Sequence, residues 1–214
     1  MPQEKVGRHI IITLFWAAIV FAILLYQFPA DRRLTLFFVN KTVAQTAVVL
    51  IGTSYLLGPL CKILPFLSQH VRYRKYFGLG GFTVILVHIG TSLFQFSDRF
   101  PFAWYLDHAV GITAATAATI IFFVLAATSR KEMIEKLGGQ TWKTIQRLGY
   151  VALFLVLIHV YAVAMGRWQQ WFAGTIDMPT SFLVFIFGIL VIIVRIASLI
   201  ADKRKPRGTS PSSQ

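Results

Sequence analysis

The hydrophobic residues of this chain fall into six long blocks that are separated by more polar stretches. Each block is about eighteen residues long or more, which is the length an α-helix needs to cross roughly 30 Å of hydrocarbon. No ten-residue segment alternates between apolar and polar residues as the strands of a membrane barrel do. Because only helices and closed barrels satisfy the backbone in lipid, the pattern predicts an all-α polytopic membrane bundle. The six predicted spans are about 10–28, 43–61, 77–96, 109–128, 148–166 and 181–201.

The spans show no internal repeat, so we expect one six-helix domain over residues 1–202. Residues 203–214 are basic and then rich in Ser and Pro, which is typical of a disordered tail. The first span follows Lys5 and Arg8, as in a secretory signal. Its apolar stretch is longer than a signal core and no small-residue cleavage motif follows it, so we interpret it as a retained anchor.

The charged residues indicate how the bundle is oriented. Only 14% of the 214 residues are charged, against about 25% in soluble domains. If the N-terminus is cytoplasmic, the inner segments hold sixteen of the 21 lysines and arginines, while the eight acids divide equally. The positive-inside rule therefore predicts that both termini are cytoplasmic. The net charge of +13 is explained by this distribution rather than by nucleic acid, and the basic face should attract anionic membrane lipid.

Two histidines lie alone within apolar spans, His88 in the third and His159 in the fifth. An ionisable side chain at membrane depth is costly and needs a partner. By the predicted boundaries, each lies eleven residues beyond the inner start of its span, which is about 16 Å along a helix. Two imidazoles at one depth near mid-membrane on parallel helices match the axial ligands of a haem iron. The alternative is that each histidine forms an unrelated hydrogen bond across helices.

The other candidate features are weaker. His9, His70 and His108 lie at span ends or in a loop, and we expect them to be solvated or interfacial. Cys61 is the single cysteine, so no cysteine cluster suggests a zinc or iron–sulfur site. Small residues such as Gly111 in the fourth span favour close helix packing, although they also leave room for a flat cofactor. The aromatic stretches 97–108 and 167–179 are typical of a membrane-interface belt, with a docking surface for an external partner as the alternative.

Three stretches around the two histidines resemble the ferric reductase-like transmembrane domain family. Each short motif is weak evidence by itself, but the order and spacing of the motifs match the family over about residues 43–166. The matching residues are Gly58–Leu60; Arg74–Leu79 followed by His88; and Thr128, Ser129, Leu137, Gly138, Trp142, Gln146, Arg147 and Tyr150 followed by His159.

The resemblance implies a haem-b membrane subunit in which His88 and His159 are the cofactor-binding residues and the axial ligands of the iron. Members of the family's small bacterial branch pass electrons to a periplasmic molybdenum-cofactor oxidoreductase that repairs oxidised methionine. The implied donor is the quinol pool or a cytosolic flavin reductase, and FMN or a quinone is a further candidate cofactor. The implied location is the bacterial inner membrane.

Two departures from the family pattern limit this expectation. The family commonly has a further histidine before each ligand, whereas here Gln146 lies thirteen residues before His159 and Arg74 fourteen before His88. One haem is therefore expected rather than two. No glycine-rich dinucleotide fingerprint is present, so we expect an electron-transfer subunit without a complete active site. From charge and depth, the candidates for pairing with haem propionates are Arg99, Arg167, Tyr105 and Trp168.

Two other functions are compatible with the same spans. A transmembrane ferric or other metal reductase would pass electrons from haem to ions outside. A non-redox membrane transporter or assembly factor would use the histidines for hydrogen bonds within the bundle. Transporters often have broken helices in two repeated halves, and no halves match here. The outer segments offer metal ions only four carboxylates, those of Asp31, Asp98, Asp107 and Asp177.

Overall fold

The computed structural model describes residues 3–26, 35–95 and 100–204. Most of the tail expected to be disordered, 205–214, lies outside the described residues, as do Asp31, Asp98 and Arg99. The described part contains helices and no strand. The α-helices are α1 (Gln3–Tyr26), α2 (Leu36–Ile63), α3 (Arg74–Gln95), α4 (Phe102–Asp107), α5 (Ala109–Ala127), α6 (Lys131–Leu137), α7 (Gly139–Phe172) and α8 (Thr180–Arg204), and a 3-10 helix, Pro65–Tyr73, joins α2 to α3.

Six segments of the described chain are long and apolar enough to cross a membrane, and they contain α1, α2, α3, α5, α7 and α8. This finding confirms the predicted all-α bundle of six spans, so the chain is a multi-pass membrane protein. The remaining α-helices are short: α4 has 6 residues and α6 has 7.

Except for α5, the spanning helices begin before the predicted spans, most of all α7, which has 34 residues. It begins at Gly139 rather than near residue 148: the preceding polar segment lacks proline, and Trp142 and Gln146 bond to Thr128 at the end of α5. Gly138, with φ of 74°, separates α6 from α7, since glycine adopts this left-handed region without strain. Hydropathy therefore predicted the apolar part of α7. It did not predict the residue at which the helix begins.

Helix α2 lies at the centre of the bundle and contacts α1, α3, α7 and α8, while α5 packs mainly against α7. The core is apolar and draws on α2, α5, α7 and α8; its members include Ile51, Tyr55, Phe122, Leu153 and Val191. Large apolar side chains cover the outer faces, as a lipid-facing surface requires. Examples are Phe15, Phe123, Phe154 and Ile193.

One end of the bundle, which we call the basic end, is where α2 and α8 finish and α3 and α7 begin. Lys62 near the end of α2 forms an ion pair with Asp202 of α8. The Ser54 hydroxyl of α2 donates to the carbonyl of Arg74 at 2.6 Å. The Tyr150 hydroxyl of α7 donates to the carbonyl of Tyr55 at 2.9 Å. These contacts hold the ends of α2, α3, α7 and α8 next to each other. The cations near those ends therefore lie in one region.

His9 is buried in the bundle and not solvated, which corrects part of the expectation that it is solvated or interfacial. Only 6% of this residue is exposed, because α1 packs against α2 and α3. Its ring stacks on Tyr76 with centroids 5.0 Å apart and contacts Tyr73. His70 is exposed, as expected, and His108 is half-buried.

Glycines allow the closest helix contacts, which favours the packing interpretation of the small residues. A Cβ placed on Gly111 would lie 2.8 Å from the Cβ of Ala162, so α5 approaches α7 closely there. A Cβ on Gly149 would overlap the ring and hydroxyl of Tyr55, a residue that is only 8% exposed. Tyr55 thus fills the space that a side chain at Gly149 would take.

We predict that Gly149→Ala lowers the midpoint of thermal unfolding, because overpacking of a filled core costs about 1–3 kcal/mol. Circular dichroism of the protein in detergent measures this midpoint. Gly7→Ala is the matched control, since no atom lies within 4 Å of a Cβ placed there. Equal midpoints for the two variants would contradict the packing of Tyr55 against Gly149.

Candidate functional site

The His88 side chain is oriented by two polar residues near the end of the bundle opposite the basic end. Its Nδ1 lies 3.1 Å from Oδ1 of Asn40 on α2. The amide nitrogen of Asn40 donates to the hydroxyl of Ser92 at 2.9 Å. In this orientation the amide oxygen of Asn40 faces the ring, so it accepts from Nδ1–H. His88 is therefore held in the tautomer that leaves Nε2 unprotonated.

The His159 side chain is oriented in the same way by a backbone group. Its Nδ1 lies 3.1 Å from the carbonyl oxygen of Gly111 on α5. A carbonyl can only accept, so Nδ1 carries the proton and Nε2 is again unprotonated. The close contact of Gly111 with Ala162 brings this carbonyl within reach of α7.

Both imidazoles are half-buried. They are close enough that a positive charge on one would repel a positive charge on the other. Within the described part of the chain, neither Nε2 has a hydrogen-bond partner. Histidines that bind metals usually donate their other ring N–H to a carbonyl or carboxylate in this manner. The residues present thus fit a site in which His88 and His159 would both bind one haem iron.

The positions of the two histidines along their helices bear on the depth expected from the sequence. His88 lies fourteen residues after the start of α3, whereas His159 lies twenty residues after the start of α7, so counting from helix starts gives unequal depths. Their partners give the better comparison, because Asn40 is in the second turn of α2 and Gly111 in the first turn of α5. Each histidine lies three to four residues, about 5 Å, beyond the midpoint of its own helix, while its partner lies near the start of a neighbouring helix, at the end of the bundle opposite the basic end. Equal depth near mid-membrane stays a prediction.

Two cations lie at that same end of the bundle. Lys41 follows Asn40 on α2 and is half-buried, and Arg167 follows His159 by eight residues on α7. Their positive charges are close enough to repel each other. Among the described residues, no carboxylate pairs with either of them.

The other residues predicted to pair with haem propionates are Trp168, Tyr105 and Arg99. Trp168 is 3% exposed, and its indole N–H donates to the hydroxyl of Ser181 at 3.1 Å, so its polar group is already used in packing. Tyr105 packs edge-on against Trp104. Arg99 lies outside the described residues. Arg167 is retained as a candidate, and Lys41 is a residue that the sequence reasoning did not select.

A cavity of about 710 Å³ lies at the basic end, between α2, α3, α5, α7 and α8. Arg74 and Gln146, the two positions where the family resemblance led us to look for further histidines, both line it. Arg74 Nε donates to the carbonyl of Ser54 at 3.0 Å, and the Gln146 amide nitrogen donates to the Thr128 hydroxyl at 3.2 Å. Within the described residues, no group of three or more His, Cys, Asp or Glu side chains is arranged to hold a metal ion.

Comparison with known proteins supports the resemblance that the motifs indicated. The chain is 30% identical over 132 residues to the protein-methionine-sulfoxide reductase heme-binding subunit MsrQ of Ralstonia nicotianae, a match that covers 61% of this chain and 60% of the relative. The chain is similar to MsrQ. The MsrQ of Herminiimonas arsenicoxydans is 32% identical over 123 residues, 54% of this chain and 56% of that protein. The MsrQ of Rhodospirillum rubrum is 27% identical over 144 residues, which is 66% of this chain and 64% of that protein.

The matched stretches span about three fifths of the length of these MsrQ proteins. No family model matches the chain. Three MsrQ proteins from different bacteria at similar levels of identity support closeness to MsrQ, and their printed names describe a haem-binding subunit.

Sequence reasoning missed Asn40, Ser92 and Lys41 as site residues. The available signals were an asparagine and a lysine near the start of an apolar helix and a serine four residues after His88 on the same helix face. Residues four apart on a helix are neighbours, which brings Ser92 beside His88. The contact with Asn40 depends on how α2 packs against α3, and no spacing along the chain encodes that packing.

We predict that ring ¹⁵N NMR of the haem-free protein in detergent finds both imidazoles with the proton on Nδ1. Asn40→Ala should remove this preference for His88, because the acceptor is lost, and should leave His159 unchanged as an internal control. His88→Gln and His159→Gln assign the two signals. A proton on Nε2 of either ring in the parent protein would contradict the geometry.

Proposed function

We propose that the chain is a membrane electron-transfer subunit in which Nε2 of His88 and Nε2 of His159 ligate the iron of one haem b. The observation that carries this proposal is that both rings are fixed through Nδ1, so that both Nε2 atoms are left to ligate. The similarity to MsrQ, whose name describes a haem-binding subunit, supports the same function.

The chain's own residues would position the group rather than react with a substrate. Asn40, fixed by Ser92, and the Gly111 carbonyl orient the imidazoles and increase their basicity. A haem bound by two imidazoles supplies a one-electron redox centre whose iron has no open position, which favours electron transfer over oxygen chemistry. The apolar helices around the rings exclude water and lower the local dielectric, which tunes the potential.

The proposed electron path runs from the basic end to the end that holds the histidines. By the positive-inside rule the basic end faces the cytoplasm, in a bacterial inner membrane. The donor is the quinol pool or a cytosolic flavin reductase, and FMN or a quinone is compatible with this donor side. The acceptor is a periplasmic molybdenum-cofactor oxidoreductase of the methionine sulfoxide reductase type, as the names of the MsrQ relatives suggest. The exposed Phe102 and Phe172 are available to contact it or to lie in the membrane interface.

We expect the purified protein to give a b-type reduced-minus-oxidised spectrum. His88→Ala and His159→Ala should each abolish haem retention, because one imidazole alone is a much weaker anchor in this site. His70→Ala is the matched control, since His70 is exposed in the 3-10 helix, away from the two rings. Absorbance at the Soret band, normalised to protein, measures retention.

The outcomes separate the rival functions. A colourless protein whose histidine variants fold normally would overturn the proposal in favour of a non-redox membrane protein. A haem protein that reduces ferric ions directly, with no periplasmic partner, would favour the metal reductase.

We also propose that Lys41 and Arg167 pair with the haem propionates, since neither cation has a carboxylate partner in the described chain. Lys41 adjoins Asn40, and Arg167 follows His159 by eight residues toward the end opposite the basic end. Lys41→Met should lower the midpoint potential by tens of millivolts, because removing a positive charge favours the ferric state; about 59 mV is a tenfold change for one electron. Redox titration measures this shift. Lys136→Met, on exposed α6 at the basic end, is the control. An unchanged potential in Lys41→Met and in Arg167→Met would contradict the assignment.

A further inference from the structure

The cavity at the basic end is separate from the histidine pair, since neither His88 nor His159 lines it. Its lining contains eight cations and one acid, Asp202. Within the described chain, only Lys62, with Asp202, and Lys131, with Glu135, have a carboxylate partner. A cluster of cations at the surface of a membrane attracts anionic groups. The eight are Lys62, Arg72, Arg74, Lys75, Lys131, Lys143, Arg147 and Arg195.

Arg74 is held in place by backbone contacts rather than by an acid. Its Nε donates to the Ser54 carbonyl at 3.0 Å, and its own carbonyl accepts from the Ser54 hydroxyl. Its guanidinium lies against Gly58, where a Cβ would come 2.9 Å from Nη1. The guanidinium is therefore fixed at the cavity wall while its charge is left uncompensated.

Arg195 is held by a second neutral contact across the cavity lining. Its guanidinium carbon lies 5.1 Å from the centroid of the Tyr150 ring, and Tyr150 is itself fixed by its bond to the Tyr55 carbonyl. Arg74 and Arg195 are both half-buried. Arginine is suited to phosphate because its planar fork can donate two parallel hydrogen bonds. The exposed Lys75, Lys143 and Arg147 add charge around this pair.

The remaining walls of the cavity are apolar, so the ligand should be an amphiphile. These walls include Leu79, Phe82, Phe122, Leu125 and Leu199. The volume of about 710 Å³ lies within the range of small-molecule sites, roughly 300–1,000 Å³. A cavity with cations and an apolar wall at the end of a helix bundle matches both parts of a phospholipid.

We propose that this cavity binds one phosphate-bearing amphiphile, an anionic phospholipid whose phosphate lies between Arg74 and Arg195 and whose acyl chains follow the apolar wall. The general attraction of a basic face for anionic lipid needs no cavity, whereas this site is discrete and saturable. The phosphate of a soluble flavin nucleotide has the same chemistry, so the test includes it. The proposal does not depend on haem binding.

Native mass spectrometry of the delipidated full chain tests the proposal, with short-chain phosphatidylglycerol, matched phosphatidylcholine and FMN as probes. We expect one phosphatidylglycerol per chain and at least about tenfold weaker phosphatidylcholine binding. Arg74→Gln with Arg195→Gln should weaken binding about fivefold per charge removed. Lys143→Gln with Arg147→Gln should do the same without touching the backbone contacts of Arg74. Lys136→Gln, which does not line the cavity, is the control.

Each outcome decides a part of the proposal. Equal affinity for the two lipids, or unchanged affinity in both double variants, would overturn the site. If FMN binds more tightly than phosphatidylglycerol and displaces it, the ligand is not a phospholipid. The cavity would still be a phosphate-binding site. His88→Ala should lose haem and keep the lipid, while the arginine variants should keep haem. Failure of this site and failure of the haem proposal are therefore distinguishable.

Discussion

Hydrocarbon offers no hydrogen-bond partners, so the polar side chains within the spans of this chain must find theirs in the protein. Threonines do so locally, as Thr46 does by donating to the carbonyl of Thr42. Histidine is different because its ring carries two nitrogens, and the helix packing provides a partner for only one of them in His88 and in His159. The second nitrogen of each ring is then an acceptor without a donor in the described chain. A metal ion satisfies two such acceptors at once, which is why their proximity is informative.

The scarcity of acids imposes a related constraint on the cations. The chain has 21 lysines and arginines and only eight acids, and the described residues form two ion pairs. Half-buried cations must therefore be stabilised by carbonyls and aromatic rings, as Arg74 and Arg195 are. Such contacts orient a cation without neutralising it. Both ends of the bundle consequently carry positive charge that an anionic group would stabilise, a propionate at one end and a phosphate at the other.

The sequence predicted the number and nature of the spans because hydropathy reports directly on which residues lie in lipid. It did not predict where α7 begins, since a helix can continue beyond its apolar part where no proline interrupts it. It selected His88 and His159 because isolated ionisable residues are conspicuous in apolar spans, and their ligand role stays a prediction. It did not indicate Asn40 or the burial of His9, because these depend on which helix faces meet.

The two sites are separated by packed side chains. Ile51, Tyr55 and Phe122 belong both to the buried core and to the cavity lining, so the cavity ends where the core begins. From Tyr150 at the cavity to His159 there are nine residues of α7, or about 14 Å along the helix axis. A quinol carries no charge, so the cations around the cavity contribute nothing specific to its binding. With a lipid phosphate between Arg74 and Arg195, the exposed Lys75, Lys143 and Arg147 remain to attract a donor that presents an acidic surface. If electrons enter at this end, the remaining charge therefore favours an acidic protein donor over a quinol.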